Sequence, residues 1–162
     1  MNTILTIKEQ NEFLSTNLEN KTFEFKWSCR GYGSTTVFNS NDNKLLRVGG
    51  CGFDRRGAAL GQLITLLFKP ELDKLAKKVV SGRGDRKVTP RLFYGLSVYK
   101  GRVSVDGACG FDCMQQILAA IGFEINLVHS TNSQRQTGSE IFELKPIDRK
   151  GWYFKRITEF KK

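Results

Sequence analysis

The chain has 162 residues, of which 40% are hydrophobic and 11% aromatic, and its formal net charge is +10. This composition excludes an intrinsically disordered chain and predicts a folded, soluble protein with a sizeable core. No apolar run approaches the ~20 residues that cross a bilayer, and the N-terminus lacks the basic start and apolar segment of a secretory signal. We therefore expect no membrane contact and a cytosolic location.

The first third of the chain has the pattern of a helix followed by strands. Thr6 and Glu9 stand at capping-box spacing before a modest apolar stripe, which predicts a helix near 6–18. Apolar and polar residues alternate over 22–30, as in a half-buried strand. A further extended run, a polar turn and the segment "KLLRV" predict two more strands before residue 49.

A six-residue frame, Gly-x-Cys-Gly-Phe-Asp, occurs twice, at 49–54 and at 107–112. Each copy follows an apolar run and precedes a helical pattern. Glycine permits a sharp turn, and aspartate suits the position that caps a helix N-terminus. We interpret this GxCGFD frame as a backbone device that turns a strand into a helix. We expect its phenylalanines to be buried and its aspartates to cap the helices; these residues are Phe53, Phe111, Asp54 and Asp112.

The segments after each frame predict helices. An apolar helix face runs from 58 to 68, and Pro70 suits the first turn of another helix. "SGRGDRK" (81–87) is predicted to be a loop. The strands of a hairpin are predicted on either side of Lys100-Gly101, and Gly122 is predicted to end the helix that follows the second frame.

The C-terminal third has strand patterns. "FEINLVHS" and "SEIFELKPI" are predicted to pair around the polar loop 131–138, and "GWYFKRITEF" has the appearance of a last strand. Together the patterns predict a single α+β domain over 1–162 with a mainly antiparallel sheet and helices packed on one face. Within it we expect two related ββα units (hairpin–GxCGFD–helix), at about 22–68 and about 91–122, followed by C-terminal strands at about 123–158.

The positive charge is concentrated in two segments. Residues 69–91 include eight basic and three acidic residues, and residues 145–162 include seven basic and two acidic ones, so that each segment carries +5. This concentration favours a polyanion or an acidic protein surface as partner, although a basic face that only aids solubility has the same pattern. The candidate contact residues are Lys74, Lys77, Lys78, Arg83, Arg86, Lys87, Arg91, Arg149, Lys150, Lys155 and Arg156.

The aromatic run 152–154 lies directly before Lys155 and Arg156. Aromatic side chains beside cations can stack on bases, as they do in proteins that bind single strands. The same run is also compatible with the inward and outward faces of an ordinary edge strand.

The cysteines are candidates for metal binding and for nucleophilic catalysis. Four cysteines without paired knuckle spacing and a single histidine predict no metal site, and we expect no cofactor and no catalytic activity. An alternative remains, because Cys113 follows the expected helix start, where the helix dipole lowers a thiol pKa. With His129 and Asn132 it resembles the site of papain-like cell-wall peptidases, although Met114 replaces the small residue usual after the nucleophile.

Residues 48–64, "VGGCGFDRRGAALGQLI", and more loosely 107–121 resemble the Gly-Cys-Gly-(aromatic or Met)-Asp segment of small bacteriophage accessory proteins. The resemblance implies a phage or mobile-element protein that acts in the host bacterial cytoplasm, where such proteins often inhibit host defence or nucleic-acid enzymes. We therefore expect a non-enzymatic binder with an anti-CRISPR-like role that acts on a host defence or nucleic-acid-handling complex through its basic surface. A direct DNA- or RNA-binding protein and a cysteine hydrolase are the alternatives.

Overall fold

The computed structural model describes residues 3–29, 33–50, 54–79, 81–83, 86–88, 95–99, 102–105, 110–131 and 137–159. The elements in chain order are α1 (Ile7–Thr16), a 3₁₀ helix (Leu18–Asn20), β1 (Thr22–Ser28), β2 (Ser34–Phe38), β3 (Lys44–Gly49), α2 (Asp54–Val79), β4 (Ser81–Arg83), β5 (Arg86–Val88), β6 (Leu96–Tyr99), β7 (Arg102–Val105), α3 (Phe111–Ile121), β8 (Phe123–Thr131), β9 (Thr137–Pro146) and α4 (Trp152–Glu159).

The described strands form two antiparallel sheets. The larger sheet has the order β3-β2-β1-β9-β8, and the smaller has the order β4-β5-β6-β7. In the larger sheet β1 is central, because it pairs with β2 on one side and with β9 on the other. The fold is therefore α+β, as the sequence predicts, and the early and late parts of the chain meet at the middle of one sheet.

Alternation along β1 places the core on one face of this sheet. Phe23 and Phe25 are fully buried, whereas Lys26 is exposed. Across the strands Phe23 lies opposite Phe142, and the rings of Phe25 and Phe142 are 5.2 Å apart. The apolar stripes of α1, α2 and α3 pack against these rings. Burial of this aromatic face holds the helices on one side of the sheet.

A kink in α2 brings an aromatic side chain into the core. The sequence predicts two helices here, separated just before Pro70, and α2 does consist of two helical stretches joined at a kink, where Phe68 has non-helical backbone angles. Proline disfavours helical geometry in the preceding chain, which accounts for the kink. The Phe68 ring stacks on Phe123 of β8 at 5.2 Å and lies 5.0 Å from Phe13 of α1.

Several local predictions are confirmed. Thr6 and Glu9 form a capping box at the start of α1. The β6–β7 hairpin pairs Tyr99 with Arg102 across the expected two-residue connection. Gly122 ends α3 with a φ of 136°, a region of backbone space that glycine enters easily.

The prediction of two equivalent ββα units is not confirmed. Three consecutive strands of the larger sheet precede α2, whereas the β6–β7 hairpin of the smaller sheet precedes α3. Cys51 to Phe53 lie outside the described residues, and of Asp54 only its place as the first residue of α2 is described. The two copies of the frame therefore follow different strand arrangements.

In the second frame the predicted cap is wrong. The N-cap residue of α3 is Gly110, at a φ of 106°, and it makes no side-chain capping bond. The helix begins at Phe111, so Asp112 lies within the first turn, and its carboxylate accepts a hydrogen bond from the Tyr153 hydroxyl at 3.2 Å. Phe111 is partly rather than fully buried, and its ring lies 5.4 Å from that of Phe142.

Two segments differ in kind from the prediction. The expected loop 81–87 contains the short strands β4 and β5, which pair with each other because backbone hydrogen bonds need no apolar residues. The sequence predicts a last strand at 151–160, among the C-terminal strands expected to reach about 158. The structure has the helix α4 in this segment instead. Its inward residues, Tyr153, Phe154 and Ile157, recur at helical spacing, and packing on α3 decides the outcome over the strand propensity of the aromatic residues.

Candidate functional site

Helix α4 is amphipathic, and its two faces differ sharply. Ile157 is 1% exposed, and Tyr153 and Phe154 are partly buried against the core. Trp152, Lys155 and Arg156 occupy the opposite face and are exposed. Residues three and four apart in a helix are surface neighbours, so these three side chains form one group, which we call the α4 outer face.

The α4 outer face combines an exposed ring with a guanidinium group. Trp152 is 55% exposed, which is unusual for a side chain of its size. The guanidinium carbon of Arg156 lies 5.5 Å from the centre of the Trp152 ring, within the range of a cation–π contact. The indole therefore keeps a large free surface while a cation is held beside it.

Contacts with α3 and with the preceding turn hold α4 in place. The Tyr153 hydroxyl donates to Asp112, and burial together with the Asp112 charge raises the pKa of Tyr153 to about 12. The Asp148 carboxylate accepts the backbone N–H of Lys150 at 2.9 Å and so orders the turn before the helix. The α4 outer face is thus presented by a fixed helix.

Arg149 makes packing contacts within the fold and is not part of the exposed positive surface. Its guanidinium carbon lies 5.0 Å from the Phe154 ring centre, and one of its nitrogens donates to the Thr3 hydroxyl at 3.3 Å. These contacts fix the partly buried Arg149 between α4 and the N-terminal segment. Of the candidate residues in 145–162, Lys150, Lys155 and Arg156 are the exposed ones.

The first basic segment lies partly within the described residues. Lys74 and Lys77 are exposed on the last turns of α2, whereas Lys69 pairs with Asp73 at 3.3 Å. The side chains of five candidate residues lie outside the described part of the chain; they are Lys78, Arg83, Arg86, Lys87 and Arg91.

Within the two basic segments, five exposed cations make no ion pair with any residue that the structure describes. We call this set the basic surface. Its members are Lys74, Lys77, Lys150, Lys155 and Arg156. Lys8, Lys26, Lys69 and Lys145, by contrast, each have a carboxylate within 4.0 Å. The positive charge of the basic surface is therefore directed to solvent.

Both basic segments approach the N-terminal part of the chain. Hydrogen bonds from Thr6 lower the pKa of Glu9, and the charge of Lys74 adds to this effect. Arg149 bonds to Thr3, which in turn accepts a hydrogen bond from Gln10 of α1 at 3.4 Å. The charge of Lys74 is thus felt at Glu9 of α1, and Arg149 is hydrogen-bonded to Thr3 just before that helix.

Lys145 does not belong with the other cations of its segment. It lies on β9 and pairs with Glu143 at 3.9 Å. The register of β9 places it on the same sheet face as Lys26 and Ser139, away from the helices. The segment 145–162 is therefore divided between the two sides of the larger sheet.

The proposed cysteine nucleophile is not placed as a hydrolase requires. Burial, followed by the Asp112 charge, raises the pKa of the Cys113 thiol, opposite to the expected activation. His129 is exposed on β8 and lies opposite Ile141 of β9, which in turn lies opposite Glu24 of β1. These three residues share the solvent face of the sheet. The sheet thus separates His129 from α3, and Asn132 lies outside the described residues.

A partly buried ion pair is the feature that sequence reasoning misses. Nη1 of Arg56 donates to both carboxylate oxygens of Glu140, at 3.1 and 2.9 Å, and its guanidinium lies 4.8 Å from the Phe111 ring centre. The pair joins the start of α2, the core face of β9 and the start of α3. The signal in the sequence is Glu140 itself, which occupies a core-facing position in alternation with Phe142 and Leu144.

Within the described part of the chain, no group of three or more His, Cys, Asp or Glu side chains is arranged to hold a metal ion. No described helix is long and apolar enough to cross a membrane. Comparisons of the chain with family models, with curated proteins and with solved structures gave no match.

Proposed function

We propose that this chain is a non-enzymatic binding protein that attaches to a nucleic-acid-handling complex of a bacterial host through its basic surface. The observation that carries the proposal is the set of five exposed cations with no ion pair in the described part of the chain. Three of them flank or occupy α4, beside an exposed tryptophan. Exposed, unpaired cations raise the local concentration of polyanions and acidic surfaces and accelerate their association.

The chemistry of the α4 outer face supports binding over a role in solubility alone. Tryptophan and arginine are the side chains most enriched among residues that dominate binding energy. A basic face that only keeps the protein in solution does not need an exposed indole, which promotes non-specific association. The pairing of Trp152 with Arg156 therefore favours a contact surface.

The biological setting rests on the resemblance of residues 48–64 to a segment of phage accessory proteins. It supports a phage or mobile-element protein in the host cytoplasm, and an anti-CRISPR-like inhibitor is the role that joins this origin to the basic surface. Such an inhibitor needs only to occupy a site on its target, so the proposal requires neither a cofactor nor a catalytic residue.

Direct contact with DNA or RNA is the second candidate function. It is favoured by the exposed Trp152 ring with Arg156 beside it, because proteins that bind single strands combine aromatic platforms with cations. In this case the nucleic acid, rather than a protein of the complex, is the first partner.

The test is affinity capture from a bacterial lysate with the tagged protein, with and without nuclease. We expect specific enrichment of a nucleic-acid-handling complex over a tagged variant in which Lys74, Lys77, Lys155 and Arg156 are changed to glutamate. Loss of the complex after nuclease indicates direct nucleic-acid contact, and its retention indicates an acidic protein surface. Equal capture by the wild type and the charge-reversed variant contradicts the proposed function.

A further inference from the structure

We infer that the α4 outer face is a subsite for single-stranded nucleic acid, in which one base stacks on Trp152 while Lys155 and Arg156 contact neighbouring phosphates. This inference rests on the proposed function, and it names both the partner and the residues of contact. It depends on the helical register of α4, which places the three side chains on one face.

The packing of α4 leaves Trp152 free for such a contact. The helix is anchored by Ile157, Tyr153 and Phe154, so the indole contributes little to the core and remains 55% exposed. Its ring lies 4.7 Å from that of Tyr153 in an edge-on arrangement. The edge-on tyrosine and the Arg156 guanidinium, which lies 5.5 Å from the indole centre, restrain the ring, and a restrained ring loses less entropy when a base stacks on its exposed part.

The charges around Trp152 match a phosphate backbone. Lys150, Lys155 and Arg156 are exposed and have no ion pair among the described residues. Of the described acids near this helix, Asp148 accepts a backbone N–H of its own turn and Asp112 accepts the Tyr153 hydroxyl, whereas the side chain of Glu159 lies outside the described residues. The outer face is thus cationic where a strand leaving the indole must pass.

The geometry favours a single strand over a duplex. A base can stack on an indole only if its own face is free, and in a duplex the neighbouring base pairs cover that face. The outer face of α4 presents one aromatic side chain and two cations, without the row of hydrogen-bonding side chains that reads base edges in a major groove. Binding should therefore depend little on sequence and strongly on salt.

Tryptophan fluorescence gives a direct test. The probe is an oligothymidylate of about 12 nucleotides, a length within the range of single-strand sites. Stacking should quench the emission of Trp152, whereas Trp27 lies partly buried against Gly138 of β9 and should change little. A Trp152→Ala protein, which keeps only Trp27, should show no quenching and should bind about 5- to 150-fold more weakly, as expected when one base can no longer stack. Trp152→Phe should retain most of the affinity.

A second variant keeps the test valid if Trp152→Ala disturbs the helix. Lys155→Gln with Arg156→Gln keeps the indole and should lower the slope of log affinity against log salt by about 0.7 for each phosphate that the protein no longer neutralises. The matched control is Lys44→Gln with Arg47→Gln, which removes two exposed cations from β3 at the far edge of the larger sheet and should leave affinity and slope unchanged.

Several outcomes overturn the inference. They are unchanged binding by Trp152→Ala, tighter binding of a duplex of the same length, and absence of oligonucleotide binding by the wild type. If oligonucleotides do not bind while lysate capture still depends on the basic surface, the partner is an acidic protein, and the proposed function stands without the single-strand subsite. If capture is also independent of the basic surface, the proposed function fails as well.

Discussion

Replacing Ile157 with alanine tests the register of α4, on which the outer face depends. Ile157 is 1% exposed and packs in the core cluster, so its truncation removes buried methyl groups and leaves a cavity. Large-to-small changes of this kind cost about 2–5 kcal/mol of unfolding free energy. Because α4 lies near the end of the chain and can relax towards α3, we expect a loss in the lower part of that range, about 2–3 kcal/mol.

The matched control is Trp152→Ala on the opposite face of the same helix. Trp152 is exposed, so this change should cost less than about 1 kcal/mol, although the side chain is larger. In a strand, residues 152, 154 and 156 would share one face and residues 153, 155 and 157 the other. Phe154 and Ile157 would then lie on opposite faces, whereas in the helix both pack against the core.

Equilibrium unfolding in urea, followed by circular dichroism, measures both costs. In a thermal melt, a loss of 2–3 kcal/mol should lower the melting temperature of a chain of this size by about 4–12 °C. The reasoning is refuted if Trp152→Ala destabilises the protein as much as Ile157→Ala, or if Ile157→Ala costs less than about 0.5 kcal/mol, as surface substitutions do.

Three further predictions concern the backbone at Gly122, the Tyr153 hydroxyl and the Cys113 thiol. In the same urea assay, Gly122→Ala should lower the free energy of unfolding by about 1–2 kcal/mol or more, because φ at this residue is +136° and a Cβ there would approach the buried Gln10 amide to 2.6 Å. The control is Gly49→Ala, which should be nearly neutral because a Cβ there would have no neighbour within 4 Å. Absorbance titration should show Tyr153 ionising near pH 12. Because the pKa of Tyr153 is raised in the folded state, the contribution of this group to stability should be constant below pH 10 and fall between pH 10 and 12. A Tyr153→Phe protein that loses the same stability over that range would contradict the assignment. The Cys113 thiol, whose pKa is raised, should react with iodoacetamide at neutral pH more slowly than a free thiol, and a fast reaction there that is lost on changing His129 would restore the hydrolase alternative.

Local signals in the sequence predict the parts of the fold that local interactions decide. The capping box of Thr6 defines the start of α1, and the alternation in β1 correctly separates Phe23 and Phe25 from the solvent-facing side. The glycine at 122 correctly ends α3, because few other residues adopt its backbone angles. In each case the information lies within a few residues of the feature.

The sequence does not predict the features that depend on distant partners. The segment 152–159 contains three aromatic residues that favour a strand, and only the surface of α3 selects the helix. The Arg56–Glu140 pair joins residues 84 positions apart, and it requires knowing which face of β9 meets the start of α2. The sequence pattern favours Asp112 as a cap because it does not place a helix start to one residue, and the structure has Gly110 at that position.

The candidate site is predictable in composition and only partly in geometry. Charge counting directs attention to Lys155 and Arg156, which are exposed, but it also includes Arg149, which is held by Phe154 and Thr3. Which cations face solvent and which serve packing depends on the docking of α4, and that docking is not apparent from charge alone.

The most direct test of the central claim compares two charge reversals in one quantitative capture assay. One protein carries Lys155→Glu and Arg156→Glu on α4, and the other carries Lys44→Glu and Arg47→Glu on β3, so the change in net charge is identical. If the basic surface at α4 is the working surface, the amount of partner bound per mole of protein should fall steeply for the first variant and remain at the wild-type level for the second. Equal loss, or no loss, in both proteins would show that net charge or another surface is responsible and would contradict the account.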